Sequence, residues 1–401
     1  MRIGLLTYAL DRPLTGIGRY TLELARALAA LEDGPDVVLL TAGGAGPLAK
    51  ENVLRRVSLP GCRLLPGLLT LGNVVIPRAA RRLGLDVVHD PTGVTPFLFG
   101  AGGARTVVTV HDVFAWSCPG TSTLLDTLIY RHWLPRLLPR ADAVITPSLV
   151  SKADVAHHLS IPTDKTHIVH EGVNAIFHPL APDEAIKAGA RHGLPEKYIL
   201  FVGSVEKRKN LPGLLHAYAC LQTIEGTPPL VVVGVRRWKE DKIVEILREL
   251  DLEGRVIFTG HVPNANLPAL YSGADLFVFP SLYEGFGLPP LEAMACGTPL
   301  VCSNAASLPE VVGDAAIMVD PYDVEGLAEA MRRVLADADL QAELRAKGLA
   351  RAKRFTWERA ARETVAVYRE VLGNEIGEGD CQVSYLSPRF SQNRQNSVNK
   401  L

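Results

Sequence analysis

Short runs of consecutive apolar residues recur along the chain, each followed by a longer stretch with helical spacing. The runs Ile3–Tyr8, Val37–Leu40, Val87–His89, Thr106–Val110 and Ala143–Thr146 predict five strands in the first half. Tyr198–Val202, Leu230–Val233, Val256–Thr259, Leu276–Phe279 and Leu300–Cys302 predict five more in the second. These runs are apolar throughout rather than alternating, as strands covered on both faces are. Strands interleaved with helices predict parallel sheets built from βαβ units, an α/β fold. The pattern passes through twice. Between the passes lies the stretch 174–197, with Pro179, Pro182 and Pro195 and little strand character. A linker near 180–195 therefore separates a first domain, 1–185, from a second, 186–356. Two doubly wound domains of this kind hold ligands beyond the carboxyl ends of their strands, here in the cleft between them. Val365, Val367, Tyr368 and Leu372 mark an amphipathic helix over Trp357–Leu372, and a helix over 357–373 is expected to pack back on the first domain. Residues 374–401 are polar, with few apolar anchors, and read as a disordered tail.

A length of 401 residues suits two domains, each large enough to bury a core. The net charge of −1 gives no reason to expect a nucleic-acid partner. Residues 1–180 carry 17 Lys+Arg against 14 Asp+Glu, a balance of +3, so the remainder carries −4. A mildly basic first half tolerates an anionic membrane surface or an acidic acceptor. Six scattered cysteines with no CxxC pair point to reduced thiols rather than to a zinc or redox site. The opening MRIGLLTYALDRPL lacks the pattern of a signal peptide, and no apolar run is long enough to span a membrane. A cytoplasmic protein is expected, with contact at the inner face of a membrane as an option.

The most informative segment is Pro280–Gly297. A strand ends at Phe279, a glycine-rich loop Glu284-Gly285-Phe286-Gly287 follows, Pro289 and Pro290 open a helix, and Gly297 closes it. The amides of Gly285, Phe286, Gly287 and Leu288, with a helix dipole behind them, make an anion site. Glu284 lies in the loop and Glu292 in the first helical turn, so the two carboxylates meet different parts of one ligand. A Glu-x7-Glu spacing alone arises by chance in a chain with 43 acidic residues. The strand–loop–helix context is what singles it out.

This segment resembles the signature of the family 4 retaining glycosyltransferases, which have the GT-B fold of two Rossmann-like domains. The stretches ADLFVFPS (274–281), CSNAASLPEVVGDAAIMVDPYD (302–323) and VNAIFHP (173–179) are similar to that family too. The resemblance covers most of residues 1–372 and is densest after residue 198. It implies that Glu292 binds the ribose of a nucleotide-sugar donor and that Glu284 binds the transferred sugar.

Three further constellations follow strand ends. In Phe201–Asn210, the run Lys207-Arg208-Lys209 comes directly after a strand and a glycine. Arginine binds phosphate bidentately and lysine as a point charge. The resemblance implies that Arg208 and Lys209 neutralise the pyrophosphate, with Lys207 a solvated neighbour. Ser204 stands where many members carry an extra arginine, which places more of the neutralisation on these two. In Asp11–Tyr20, Gly16 and Gly18 allow close backbone approach in a loop ahead of a helix Thr21–Leu31. The resemblance implies that this loop closes over the donor. In Thr109–Asp112, His111 ends a strand in the cleft-facing position, and the resemblance implies contact with the transferred sugar; Asp112 orients its neighbours. Catalysis is thus assigned to Glu284, His111, Arg208 and Lys209. Donor binding is assigned to Gly16, Gly18, Arg208, Lys209, Glu284, Gly285, Phe286, Gly287, Leu288 and Glu292.

No cofactor and no catalytic metal are expected, since fixed cations and a helix N-terminus take the metal's place. Asp337 and Asp339 match a metal-binding DxD pair, but they sit in an Ala-rich helical stretch instead of at a strand end. The basic, apolar stretch Tyr130–Ala141 could touch a membrane, although Pro135 and Pro139 break it and packing on the first domain is favoured. The expected activity is transfer of a hexose, mannose among the candidates, from a nucleotide-diphosphate sugar to a glycan or lipid-linked acceptor with retention, in polysaccharide or glycoconjugate synthesis. The GIGRY and RKN runs resemble members that build bacterial polysaccharides, often from GDP-mannose. The alternatives are a nucleotide-sugar epimerase of the same fold and a non-catalytic nucleotide-sugar-binding protein. A dinucleotide-dependent oxidoreductase is disfavoured because no GxGxxG follows the first strand.

Overall fold

The computed structural model describes residues 1–10, 16–41, 54–117, 129–222, 226–235 and 240–373. The expected disordered tail, 374–401, and part of the Asp11–Tyr20 segment lie outside the described residues, as do Cys118 and Cys381. Cys62, Cys296 and Cys302 are buried and Cys220 is exposed, and none of the four is in a disulfide.

Seven parallel strands form the first sheet: β1 (Arg2–Leu6), β2 (Asp36–Thr41), β3 (Arg55–Ser58), β4 (Val87–Asp90), β5 (Arg105–Thr109), β6 (Ala143–Thr146) and β7 (Thr166–Ile168). Their order is β3-β2-β1-β4-β5-β6-β7. Six form the second: β8 (Ile199–Val202), β9 (Leu230–Val233), β10 (Val256–Gly260), β11 (Leu276–Phe279), β12 (Leu300–Ser303) and β13 (Ile317–Val319), in the order β10-β9-β8-β11-β12-β13. All ten expected strands form. The three unexpected ones, β3, β7 and β13, are all sheet edges. An edge strand need not be covered on both faces, so it does not read as an apolar run. β3 is Arg-Arg-Val-Ser, β7 is Thr-His-Ile, and the middle residue of the three-residue β13, Met318, is exposed.

The continuous apolar runs follow from two-sided burial. Ile3, Leu5, Val37 and Leu39 pack on one helical layer, and their neighbours Leu6, Val38 and Leu40 pack on the other. In the second domain a single large core takes in both faces of β8, β9, β11 and β12.

Two segments differ from the sequence-based picture. The first helix begins at Gly16, not Thr21, and runs to Ala30, so Gly16 and Gly18 lie in its first turn. The expected linker contains a helix, Pro182–Ala190, opened by its proline and by Asp183 and Glu184 at the positive end of its dipole. Between domains the chain crosses twice, side by side: Val173 donates its amide to Phe355 O at 3.0 Å. Gly172 sits so close to this second crossing that a Cβ there would lie 2.3 Å from the Trp357 amide nitrogen. The helix Trp357–Val371 then packs on the helix Gly16–Ala30, burying Trp357, Ala361, Val365 and Tyr368 in the first domain's core.

Candidate active site

In the second sheet the strand order turns back between β8 and β11, and the residues that follow these two strands meet there. A crevice forms at such a switch point because the two following segments diverge. After β8 a single tight turn, Lys207–Lys209, leads into the helix Leu211–Leu221. After β11 the loop 280–287 leads into the helix Leu288–Ala295. The two segments are tied through backbone: Leu282 donates its amide to Arg208 O at 2.7 Å, and Ser281 Oγ lies 3.0 Å from the same oxygen.

Glu284 is not a solvated loop acid. It is 7% exposed. Its Oε1 accepts from Lys209 Nζ at 2.6 Å and from Ser281 Oγ at 2.6 Å, and its Oε2 accepts from Arg208 at 2.9 Å. Burial opposes its ionisation, but the charges of Arg208 and Lys209 outweigh burial and hold its carboxyl at about 2. Burial pulls the Lys209 ammonium down against the pull of Glu284. For Arg208, burial is outweighed by Glu284 and Asp112, and its basicity rises further. Lys209 also lies 4.8 Å above the Phe279 ring. Lys207 is exposed. Ser204 bonds to Glu206, which also accepts from Arg208 Nε.

Glu292 is buried one turn into the next helix. Its Oε2 accepts from Tyr271 Oη at 2.9 Å, and its Oε1 accepts at 2.7 Å from Arg19, on the first domain's opening helix. Burial raises its pKa, against the charge of Arg19. Arg19, Glu23, Asn174, Asn264, Leu288 and Glu292 face a cavity of about 570 Å³, a size that suits a small organic ligand. Gly16 is exposed with open space around its Cα, and Gly18 is buried.

The first domain closes the other side. His111, beyond the end of β5, bonds through Nδ1 to Glu171 Oε1 at 3.1 Å and through Nε2 to Pro91 O at 2.9 Å. Asp112 is half-buried; its loss of solvent raises its pKa against the nearby charge of Arg208, and it accepts from the Phe114 amide. Gly285 packs directly on this segment: a Cβ there would lie 2.0 Å from His111 O, so only glycine permits the approach. Its carbonyl accepts from Ser148 Oγ at 2.7 Å and Ser151 Oγ at 3.1 Å. Tyr283 Oη donates to Asp154 at 2.7 Å, and Glu310 accepts from the Leu149 amide and pairs with His170. Phe286 puts its ring in the second core, and its carbonyl accepts from Ser307. Gly287 takes a left-handed conformation, φ 115°, where the chain turns into the helix that Leu288 begins.

The structure therefore gathers Glu284, Arg208, Lys209, His111 and the 285–288 loop around one cleft, with Glu292 and the Gly16–Gly18 turn beside a cavity next to it. Arg19, Tyr271, Ser281 and Glu171 were absent from the sequence-based assignment. Only Arg19 carried a signal, its place directly after the two glycines. Asp337 caps the helix Ala338–Ala352 by accepting from the Leu340 amide, which is its structural use. The stretch 130–141 breaks into three short turns that bury Leu134, Leu137 and Leu138 in the first domain. Such a cleft can hold an anionic diphosphate on the Arg208 and Lys209 cations, with a carboxylate available to hydroxyl groups on either side.

Comparison with known proteins agrees with this geometry. The family model for group 1 glycosyl transferases matches residues 183–351, and that for glycosyltransferase family 4 matches residues 14–176. The O-antigen chain mannosyltransferase B of Escherichia coli is 34% identical over 386 residues, covering 92% of this chain and 100% of that protein. The sucrose-phosphate synthase structure from Thermosynechococcus elongatus shares the fold at TM-score 0.73 and 24% identity, over 93% of this chain and 99% of that one. The structure of Anabaena HepE in complex with UDP-glucose shares it at TM-score 0.70 and 18% identity, over 93% and 98%.

Proposed function

The chain belongs to the family 4, group 1 glycosyltransferases, and from that premise we propose that it moves a mannosyl residue from GDP-mannose to a glycan or lipid-linked acceptor with retention. The observation that carries the reading is the half-buried Arg208 and the buried Lys209 closed together on Glu284 at the β8/β11 switch point. A nucleotide sugar enters with its diphosphate on Arg208 and Lys209, its ribose at Glu292, and its sugar between Glu284, the 285–288 amides and His111. Charge develops on the leaving diphosphate, and the fixed cations stabilise it without a metal ion. The Gly285–His111 contact keeps water from the sugar, which matters because hydrolysis competes with transfer. The mannosyl assignment rests on the activity for which the Escherichia coli relative is named.

Incubation with GDP-mannose and a mannoside acceptor, followed by NMR of the product, tests donor and stereochemistry together. An α-linked mannosyl product is expected, since the donor is α-configured. A β-linked product, or turnover of a different nucleotide sugar in preference, overturns the reading.

Contact with a membrane belongs to the same proposal. Among the described residues no helix is long and apolar enough to cross a membrane. The first domain nonetheless exposes Leu64, Leu71, Val74 and Phe99 among the exposed arginines Arg63, Arg78, Arg81 and Arg140. Asn73 and Arg140 both bond to Leu98, which brings these elements together. Apolar side chains in a basic surround fit an anionic bilayer. Co-sedimentation with phosphatidylglycerol-containing vesicles but not with phosphatidylcholine vesicles is expected; equal recovery with both contradicts it.

A further inference from the structure

His111 contacts two groups that only accept. Glu171 offers a carboxylate oxygen to Nδ1 and Pro91 a carbonyl oxygen to Nε2. Neither can donate, so both ring nitrogens must carry protons for the two bonds to exist together. We propose that Glu171 is a positioning residue for the transfer reaction, holding His111 through Nδ1 so that the ring faces the cleft as a doubly protonated hydrogen-bond donor. The proposal rests on the reading of this cleft as the transfer site.

The surroundings of the ring favour this form. Burial alone would favour the neutral imidazole, but the hydrogen bond and charge of Glu171 outweigh it and raise the pKa of His111. On the first helix, the neutral Tyr20 ring meets the imidazole edge-on at 4.6 Å. Tyr20 bonds to Thr109, and Thr109 to His89 on β4. Burial and the neighbouring charge of His111 hold His89 neutral, at about 3. Asp112 adds a carboxyl beside the ring, and Arg208 and Glu284 face that carboxyl across the cleft. Among the described residues, Glu171 is thus the one carboxylate bonded to the imidazole.

Glu171 is itself held from both sides. The preceding residue, His170, pairs with Glu310 of the second domain at 2.7 Å. The following residue, Gly172, is wedged against the Trp357 backbone, and Val173 bonds across the domain crossing. The backbone that carries the carboxylate is therefore held at the crossing. The consequence is chemical. A doubly protonated imidazole has no lone pair, so His111 does not take the acceptor's proton. Its Nε2–H, now on Pro91 O, is the bond available to a sugar hydroxyl oxygen.

The test is a histidine-labelled NMR titration of the full chain, with Asn in place of His111 to assign the ring. In the native protein His111 should titrate above 6.5, the ordinary histidine value. Glu171→Gln should lower that midpoint by at least about one unit, and Glu171→Asp should restore part of it. In turnover of GDP-mannose, the alkaline loss of kcat should move to lower pH by the same amount in Glu171→Gln. Near pH 8 the variant should then be slower by about tenfold, and the donor KM should change by less than about threefold. A ring that titrates alike with and without the Glu171 carboxylate, or an alkaline limb that does not move, overturns the proposal. The ring titration needs no substrate, so it judges the Glu171 clamp separately from the transfer reading.

Discussion

Replacing Glu284 by Gln should lower the transfer rate by about 10³-fold or more, while a nucleoside diphosphate binds at least as tightly as before. The loss follows from the proposed function, which places the transferred sugar between Glu284, the 285–288 amides and His111. The retained affinity follows from charge. Glu284 pairs with both Arg208 and Lys209. Making it neutral frees both cations for the diphosphate, so the competition for them ends. Single-turnover kinetics and calorimetric binding on the same variant separate the two effects. An unfolded variant would lose both together, and a melting curve identifies that case. Near-native turnover would remove Glu284 from the chemistry.

The second large effect is expected at Arg208. Its guanidinium reaches Glu284 and Glu206 at once, and the Tyr283 carbonyl accepts from it as well. Arg208→Ala should weaken diphosphate binding by roughly thirtyfold, the equivalent of about 2 kcal/mol for one charge-assisted interaction. Arg208→Lys should recover little, because lysine lacks the planar fork. The same variant changes acid stability in a definite direction. Glu284 has its pKa depressed from 4.5 to about 2 in the folded protein, so it contributes stability that is complete above pH 4.5 and lost as pH falls towards 2. Without Arg208 the folded pKa rises, the window narrows, and acid unfolding should begin at higher pH. Unfolding followed by circular dichroism between pH 6 and pH 2 checks this; coincident curves for the two proteins would contradict it.

The strands buried on both faces were legible because two helical layers require apolar residues at every position, as in Leu276–Phe279 and Leu230–Val233. The edge strands were not, because β3 and β7 can carry arginine, threonine or histidine at no cost to a core. The switch-point loop was legible because its glycines, prolines and carboxylates are consecutive. The partners of those carboxylates were not. Arg19 meets Glu292 across 273 positions and Glu171 meets His111 across 60, distances at which no local spacing carries a signal. The early start of the first helix was missed for another reason. Gly16 and Gly18 are poor helix formers, and it is the packing of Tyr20, Leu24 and Leu28 on the first sheet that fixes the helix they open.

The most direct test of the central claim is calorimetric titration of the protein with GDP, UDP, ADP and dTDP, each in magnesium and in EDTA. The account predicts that one diphosphate, GDP, binds clearly, that binding survives EDTA, and that it is lost when Arg208 and Lys209 are both replaced by Ala. Binding of no diphosphate, or binding that requires magnesium throughout, would contradict the assignment of Arg208, Lys209 and Glu292 to the donor.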